Sequence, residues 1–461
     1  MSSVSPTFDA PLLRKLGRPG PRYTSYPTAD RFESTFGVSD YLAAVADRRL
    51  RHSGTPLSLY VHIPFCASIC YYCACNKVVT RDRAKADLYL DYLKREITMQ
   101  AALFAGMHRV DQLHLGGGTP TYLSEEQMAD LMAHLRHHFQ FAPDDVGEYA
   151  IEIDPRTVTV ERIASLRRQG FNRLSLGVQD YDEQVQRAVN RIQPEVQTQA
   201  IIDAARANGY RSVNIDLIYG LPLQTMATMA QTLERVIAAS PDRIALYHYA
   251  HMPHLFKAQR MLKDADMPGP DTKLAMLGLA IERLHAAGYV YIGMDHFAKP
   301  DDALAVAQRQ GRLHRNFQGY STHADADIVG FGVSAIGAVG GTYSQNAKHL
   351  ATYYAGISLD QLPIERGVAL SMDDALRRSL IGRLMCHFEL SVAAFEQAFP
   401  IAFADYFADE LAALDDLAAD GLVTVTPEWI TVTPKGRLLI RNICMVFDRY
   451  LQAGTRHAAT V

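Results

Sequence analysis

From Leu57 to Ala250 short apolar runs alternate with longer stretches whose apolar residues recur at helical spacing. The runs are "LSLYVHIPF" (57–65), "QLHLGGG" (112–118), "YAIEIDP" (149–155), "RLSLGVQ" (173–179), "SVNIDLIYGLP" (212–222) and "RIALYHYA" (243–250). Between them lie patterns such as "AKADLYLDYLKREITMQAALF" (84–104), "SEEQMADLMAHLRHHF" (124–139) and "VERIASLRRQG" (160–170). Repeated strand–helix units predict an α/β fold with a parallel sheet and helical crossovers. A count of six strands favours an open, partial (β/α)6 TIM-type barrel over a closed eightfold one. In the first helical pattern Leu88, Leu90, Tyr92, Leu93 and Ile97 fall on or near one face. Ser124, ahead of Glu126 and Gln127, marks a helix N-terminus. Chemistry in such a fold belongs at the C-terminal ends of the strands.

The flanks read differently. "GRPGPRYTSYPTADRF" (17–32) is rich in Pro, Gly and aromatics without a period, which predicts an extended arm lying on the main domain. After about Met372 the chain turns to Ala/Leu-rich helices around a short hairpin, "LVTVTPEWITVT" (422–433). The expected organisation is therefore an N-terminal arm and lead-in over 1–55, the barrel with an extension over 56–365, and a mostly helical, winged-helix-like domain over 366–461. A winged helix raises DNA binding as a reading. Residues 371–461 hold twelve acids against eight Lys/Arg, the wrong sign for phosphate contact, so a helical lid or scaffold is expected instead.

Composition narrows the class. Hydrophobic content of 48% and charged content of 21% are those of an ordinary globular protein, and a net charge of -4 argues for neither a nucleic-acid nor a membrane partner. The N-terminus lacks the basic-then-apolar pattern of a secretory signal. The longest charge-free apolar stretch, "IVGFGVSAIGAVGG" (328–341), is too short and Gly-rich to span a bilayer. A cytoplasmic protein is expected. In that compartment clustered cysteines point to metal or catalysis rather than disulfides. Cys386 and Cys444, in apolar helical patterns, are expected as buried, inert thiols.

The other four cysteines crowd into "HIPFCASICYYCACNK" (62–77), where Cys66, Cys70, Cys73 and Cys75 follow C-x3-C-x2-C-x-C. Thiolates are soft ligands, so zinc and an iron–sulfur cluster are the candidates. Structural zinc usually takes two separated knuckles, and here all four sulfurs leave one loop. Three cysteines at x3 and x2 spacing can each hold one corner of a four-iron cubane. The fourth iron is then open to an outside ligand. Glu152 and Asp216 each sit inside an apolar run, where a carboxylate is costly unless paired or bound. Core salt bridges and ligand contacts are the two readings.

C-x3-C-x2-C with Tyr72 before the third Cys resembles the signature of radical S-adenosylmethionine enzymes, whose fold is a partial barrel. The added Cys75 narrows the resemblance, as do "YVHIPFC", "HLGGGTPTYL", "IEIDPR", "RLSLGVQD", "NIDLIYGLP", "IGMDHFA", "LHRNFQGYST" and "GRLLIRNICM". Together they resemble the oxygen-independent coproporphyrinogen III oxidase (dehydrogenase) family over nearly the whole chain. The resemblance implies a [4Fe-4S] cluster on Cys66, Cys70 and Cys73, with Cys75 needed but not a ligand. It implies two S-adenosylmethionine molecules. Gly117, Gly118 and Thr119 match the stretch that holds the methionine end of the first, with Tyr60 and Glu152 as further contacts. Tyr72, Gln179, Arg191, Asp216, Ala250 and Ile336 match the positions of the second. The implied reaction turns two propionates of coproporphyrinogen III into vinyl groups, giving protoporphyrinogen IX. A reduced flavodoxin- or ferredoxin-type electron donor and a monomeric state are expected with it. Arg22 and Arg315 are candidates for the substrate's carboxylates, surface arginine being the equal alternative. A haem-binding chaperone of the same superfamily is the rival function; such relatives lack the Cys75 equivalent and the "HRNFQGY" region.

Overall fold

The computed structural model describes residues 5–51, 54–106, 109–144, 146–324 and 326–451. The six expected strands form in order: β1 (Leu57–Ile63), β2 (Val110–Gly117), β3 (Glu148–Ile153), β4 (Arg173–Gln179), β5 (Ser212–Tyr219) and β6 (Arg243–His248). Each pairs in parallel with the next. Successive side chains of a strand point to opposite faces. Leu57, Leu59, Val61 and Ile63 of β1, Leu113 and Leu115 of β2, and Ile151 and Ile153 of β3 are buried in the main core with the crossover helices. The other face is polar: Ser58, Tyr60 and His62 stand in register with Gln112, His114 and Gly116. Glu152, Ser175, Asn214 and Asp216 continue that layer on the following strands. The strands that read as apolar runs are thus alternating strands, apolar outward and polar inward. Glu152 and Asp216 face that polar interior rather than a hydrophobic core.

The sheet does not end at β1. After strands β7 (Val290–Gly293), β8 (His296–Ala298) and the hairpin β9 (His314–Asn316) and β10 (Gly319–Ser321), a further strand β11 (Asp327–Phe331) pairs in parallel with β1. β12 (Ile336–Val339), β13 (Thr342–Asn346) and β14 (Ile364–Ala369) follow antiparallel. The twelve-stranded order is β14-β13-β12-β11-β1-β2-β3-β4-β5-β6-β8-β7. The apolar stretch 328–341 is therefore a pair of sheet strands. No helix among the described residues is long and apolar enough to cross a membrane. The boundary expected at 365/366 falls inside β14.

Local signals place the crossover helices. Ser124 Oγ accepts from Gln127 N at 3.1 Å while Gln127 Oε1 accepts from Ser124 N at 2.9 Å, a capping box that starts the helix Glu125–His138. In the helix Ala84–Leu103 the buried face runs through Tyr89, Leu90, Leu93, Glu96 and Ile97. Leu88, expected on that face, is 49% exposed. The difference comes from Glu96, which accepts from Gly332 N, Asn346 Nδ2 and Tyr353 Oη at 2.6–2.7 Å and rotates the contact face toward β11 and β13.

The arm begins with a helix, Ala10–Leu16, and then runs extended between the barrel and the C-terminal domain. Arg441 Nη1 donates to Gly20 O at 3.0 Å, Asn442 Nδ2 to Leu16 O at 2.8 Å, and Tyr23 Oη to Asp448 at 2.9 Å. The C-terminal region holds the helix Met372–His387, several short helices, and a three-stranded sheet. Its hairpin Val423–Val425/Trp429–Val432 is joined by Glu389–Ser391, a strand the sequence pattern did not mark. Cys386 and Cys444 are buried there.

Candidate active site

The loop that leaves β1 carries the four clustered cysteines at the C-terminal end of the barrel. A short parallel pairing, Phe65–Cys66 with Val78–Val79, closes it. Gly118 N donates to Ile63 O and Thr119 N to Phe65 O, both at 2.8 Å, and Thr119 Oγ1 lies 3.5 Å from Cys66 Sγ. The glycines are required for this approach. A Cβ on Gly118 would sit 2.6 Å from Pro64 O, and one on Gly117, at φ +112°, would sit 2.6 Å from the His62 ring. The amides of Gly117, Gly118 and Thr119 all donate within the protein, Gly117 N to Glu152 Oε2 at 3.1 Å. Close packing, rather than free amides, is what this segment contributes.

Among the described residues no three His, Cys, Asp or Glu side chains converge closely enough to hold a single metal ion. The fit of the loop to a cluster rests on its donor set and surroundings. Burial pushes the Cys66 thiol up to about 11, a group that stays protonated until a metal replaces its proton. Cys70 Sγ accepts from Arg156 Nη2 and Arg191 Nη1, each at 3.5 Å. A hydrogen bond between Cys75 and Cys73 raises the first thiol and lowers the second. Three soft donors beside two guanidiniums suit an anionic thiolate-ligated cluster, and Cys75, though hydrogen-bonded to Cys73, also lies on the wall of the interior cavity.

That cavity, about 440 Å³, is lined by Tyr60, His62, Cys75, His114, Glu152 and Ile336 toward the loop, and by Arg22, Tyr247, His296, Arg315 and Phe317 toward the hairpin β9–β10. The Tyr60 ring stacks on His114 with centroids 5.9 Å apart. His114 Nε2 lies 3.1 Å from Glu152 Oε1. Asp216 accepts from Ser175 Oγ at 3.1 Å and Asn214 Nδ2 at 2.8 Å, and burial together with the Glu152 charge raises its carboxyl to about 6. Among the described residues neither acid has an Arg or Lys salt-bridge partner. Glu152 has neutral donors and His114, and Asp216 has neutral donors only.

Beside the cavity, across the cysteine loop, lies a second constellation. Arg191 is 6% exposed and spans Cys70 Sγ, Asp154 at 3.3 Å and the carbonyl of Gly177. Gly177 is packed under both Arg191 Nη2 and Gln179 Nε2, each 3.0 Å from where a Cβ would be. Gln259 Nε2 donates to Tyr72 O at 3.0 Å and to Ala250 O at 3.2 Å, tying these two segments together. Of the six positions matched to one ligand by resemblance, Ile336 is not with this group; it faces the cavity with Tyr60.

Both arginine candidates are in the cavity wall rather than on the outer surface. Arg22 pairs with Asp295. Burial and the nearby Arg315 and Arg441 lower its pKa to about 10; burial and Arg315 lower Arg441 to about 10 as well. Arg315, 8% exposed, lies over the Tyr320 ring at 4.7 Å, and its Nε and Nη1 have no hydrogen-bond partner. Sequence reasoning missed His62, His114, Tyr247 and His296. The signal for the first two was present, as the inward positions of alternating strands.

The parallel half-barrel with its cysteine loop is that of the radical SAM enzymes, and the Radical SAM superfamily profile matches residues 60–236 while the HemN C-terminal domain profile matches residues 370–439. The chain is 53% identical to the oxygen-independent coproporphyrinogen III oxidase of Escherichia coli (strain K12), over 99% of this chain and 98% of that one. It is 45% identical to the protein of the same name from Synechocystis, over 98% and 97%. The solved structure of coproporphyrinogen III oxidase (HemN) from Escherichia coli, a radical SAM enzyme, matches with a TM-score of 0.92 at 52% identity, covering 97% of this chain and all of that one. The chain belongs to the oxygen-independent coproporphyrinogen III oxidase family, radical SAM oxidoreductases of haem biosynthesis.

Proposed function

We propose that this chain oxidatively decarboxylates two propionates of coproporphyrinogen III to vinyl groups, giving protoporphyrinogen IX, with a [4Fe-4S] cluster and two molecules of S-adenosylmethionine. The observation that carries the substrate reading is the arginine group Arg22, Arg315 and Arg441. The buried Arg315, whose Nε and Nη1 have no hydrogen-bond partner, calls for an anionic partner, and a carboxylate supplies one bidentately. Arg22 and Arg315 line the same cavity as Cys75 and Tyr60, with Arg441 close behind them.

When bound, the cluster and cofactor would supply the one-electron chemistry for hydrogen-atom abstraction at a propionate β-carbon. Cys66, Cys70 and Cys73 would hold the cluster. Tyr60, the Gly117–Thr119 segment and Glu152 would orient the first cofactor, with Ile336 on the same wall. Gln179, Arg191, Tyr72, Ala250 and Asp216 would hold the second. Cys75 faces the substrate space and positions or protonates what lies there. The arm, through Arg22 and Thr24, and the hairpin, through Phe317, exclude water. A reduced flavodoxin- or ferredoxin-type donor meets the basic segment after the loop, where Arg81 and Lys85 are exposed and Lys77 Nζ reaches Cys73 O at 3.0 Å.

Turnover tests this scheme. In this scheme each decarboxylation consumes one cofactor. Two methionines and two deoxyadenosines are expected per protoporphyrinogen, with a monovinyl intermediate. One methionine per two vinyl groups, measured by chromatography, would sink the consumptive mechanism. Arg315→Gln is expected to raise KM for coproporphyrinogen III by about 10- to 100-fold, the loss of a charged hydrogen bond.

Asp216 provides a pH test. Its carboxyl keeps a proton up to about pH 6, and only the ionised form attracts a cofactor ammonium. S-adenosylmethionine affinity should therefore rise with pH through about 6. Asp216→Asn should weaken binding, a loss of roughly 1.5–3 kcal/mol, and flatten the profile. Calorimetric titration from pH 5 to 8 that found wild type and variant alike would remove Asp216 from the site.

A further inference from the structure

A larger cavity lies beyond the catalytic one. It measures about 1170 Å³ and is walled by the arm, the hairpin β9–β10, the start of β11 and the helix Met372–His387. Thr24, Arg315, Phe317 and Ile328 line both cavities, so a single layer of side chains separates them. Pro56 and Asp327 place this larger space at the N-terminal ends of β1 and β11, the end opposite the cysteine loop.

Its charges are one-sided. Arg312, Arg378 and Arg383 line it along with Arg315, and the salt bridges recorded among the described residues include none of the four. The acids on the wall are already engaged: Asp47 with Arg51 at 2.6 Å, and Asp327 with Arg48. Among the described residues Arg383 Nη1 donates to Gly311 O at 3.1 Å and the Arg312 side chain to the Gln310 amide oxygen, both neutral acceptors. His387, lowered to about 4 by burial, is neutral. The orphaned Nε and Nη1 of the buried Arg315 are a second, independent sign of an absent anion. Phe317, Tyr343, Ile381 and Phe395 add apolar surface between the cations.

We propose that this cavity is a second site for the carboxylated tetrapyrrole, an antechamber from which it passes to and from the catalytic cavity, with Arg315 able to hold a propionate from either side. Several cations around an apolar wall match a flat macrocycle with carboxylates at its rim. The volume exceeds the roughly 300–1,000 Å³ of ordinary small-ligand pockets, so it has room for a macrocycle. An acidic electron-donor protein fits less well. Its convex surface cannot fill a cavity, and β1 alone, at about 3.3 Å per residue, sets the cluster loop some 20 Å away. The antechamber rests on the substrate reading above.

Arg312 and Arg378 are exposed and outside the catalytic wall, so Arg312→Glu/Arg378→Glu should fold, which circular dichroism checks. Coproporphyrin III and protoporphyrin IX, the stable fluorescent oxidised forms of substrate and product, serve as probes on the reconstituted holoenzyme. Wild type should bind more than one equivalent of coproporphyrin III, and the double variant should lose the weaker site. With dithionite as reductant the variant's KM should rise on the order of tenfold at retained kcat, and the salt dependence of kcat/KM should shrink. Loss of the weaker site for protoporphyrin IX as well makes it an exit route too. Unchanged stoichiometry and KM would overturn the antechamber while leaving the catalytic reading standing. A defect seen with a protein donor but absent with dithionite would overturn it in favour of protein docking. A wild-type holoenzyme that neither binds the porphyrin nor turns over the porphyrinogen would instead bring down the functional reading beneath it.

Discussion

Cys66→Ala, Cys70→Ala and Cys73→Ala are each expected to yield protein without iron and without any cofactor cleavage. A cubane held by two thiolates leaves two irons open to water, and the loop offers no substitute: Cys75 hydrogen-bonds to Cys73 and lies on the cavity wall. Cys70→Ala should in addition lower the melting temperature, since Cys70 also anchors Arg156 and Arg191. Cys75→Ser should behave differently, keeping the iron and its visible spectrum while vinyl formation falls to background. Iron and sulfide analysis after anaerobic reconstitution, read beside product yield, separates the two classes. If Cys75→Ser emptied the cluster as fully as the others, the assignment of three ligands plus one cavity thiol would be wrong.

Arg191→Ala should keep the iron–sulfur spectrum and lose most productive turnover, by about 10- to 100-fold or more for a charged contact to a bound amino acid. Its guanidinium is buried among Cys70, Asp154 and the carbonyl of Gly177, and Gln179 packs on the same glycine. Removing it leaves Asp154 with Arg156 at 2.7 Å as its remaining cation. The melting temperature should therefore fall too, since truncating one member of a buried ion network is costly. Arg191→Lys restores the charge but not the fork, and should recover stability more than turnover. Full vinyl yield from Arg191→Ala, with unaltered S-adenosylmethionine stoichiometry, would exclude it from a second cofactor site.

What the chain itself made legible was local. The six strands, the capping box at Ser124 and the cysteine spacing each depend on residues a few positions apart, where backbone periodicity and ligand geometry leave little choice. The strand faces were harder. Glu152 and Asp216 looked like charges stranded in apolar runs, because no pattern within one strand says whether its second face meets helices or a polar barrel interior. Pairing in register decided that, by setting Tyr60 beside His114 and Glu152 near Asp216. Leu88 was misplaced for a similar reason: Glu96 and its three donors from β11, β13 and the Tyr353 helix set the buried face, and those partners are far along the chain. The seventh parallel strand, β11, came from a Gly-rich stretch that only pairing with β1 makes a strand. Arg22, Arg315 and Arg441 showed nothing in the sequence to separate them from surface arginines. Their convergence arises because the arm, the hairpin and the final helix meet at one wall, a property of long-range packing rather than of any local run.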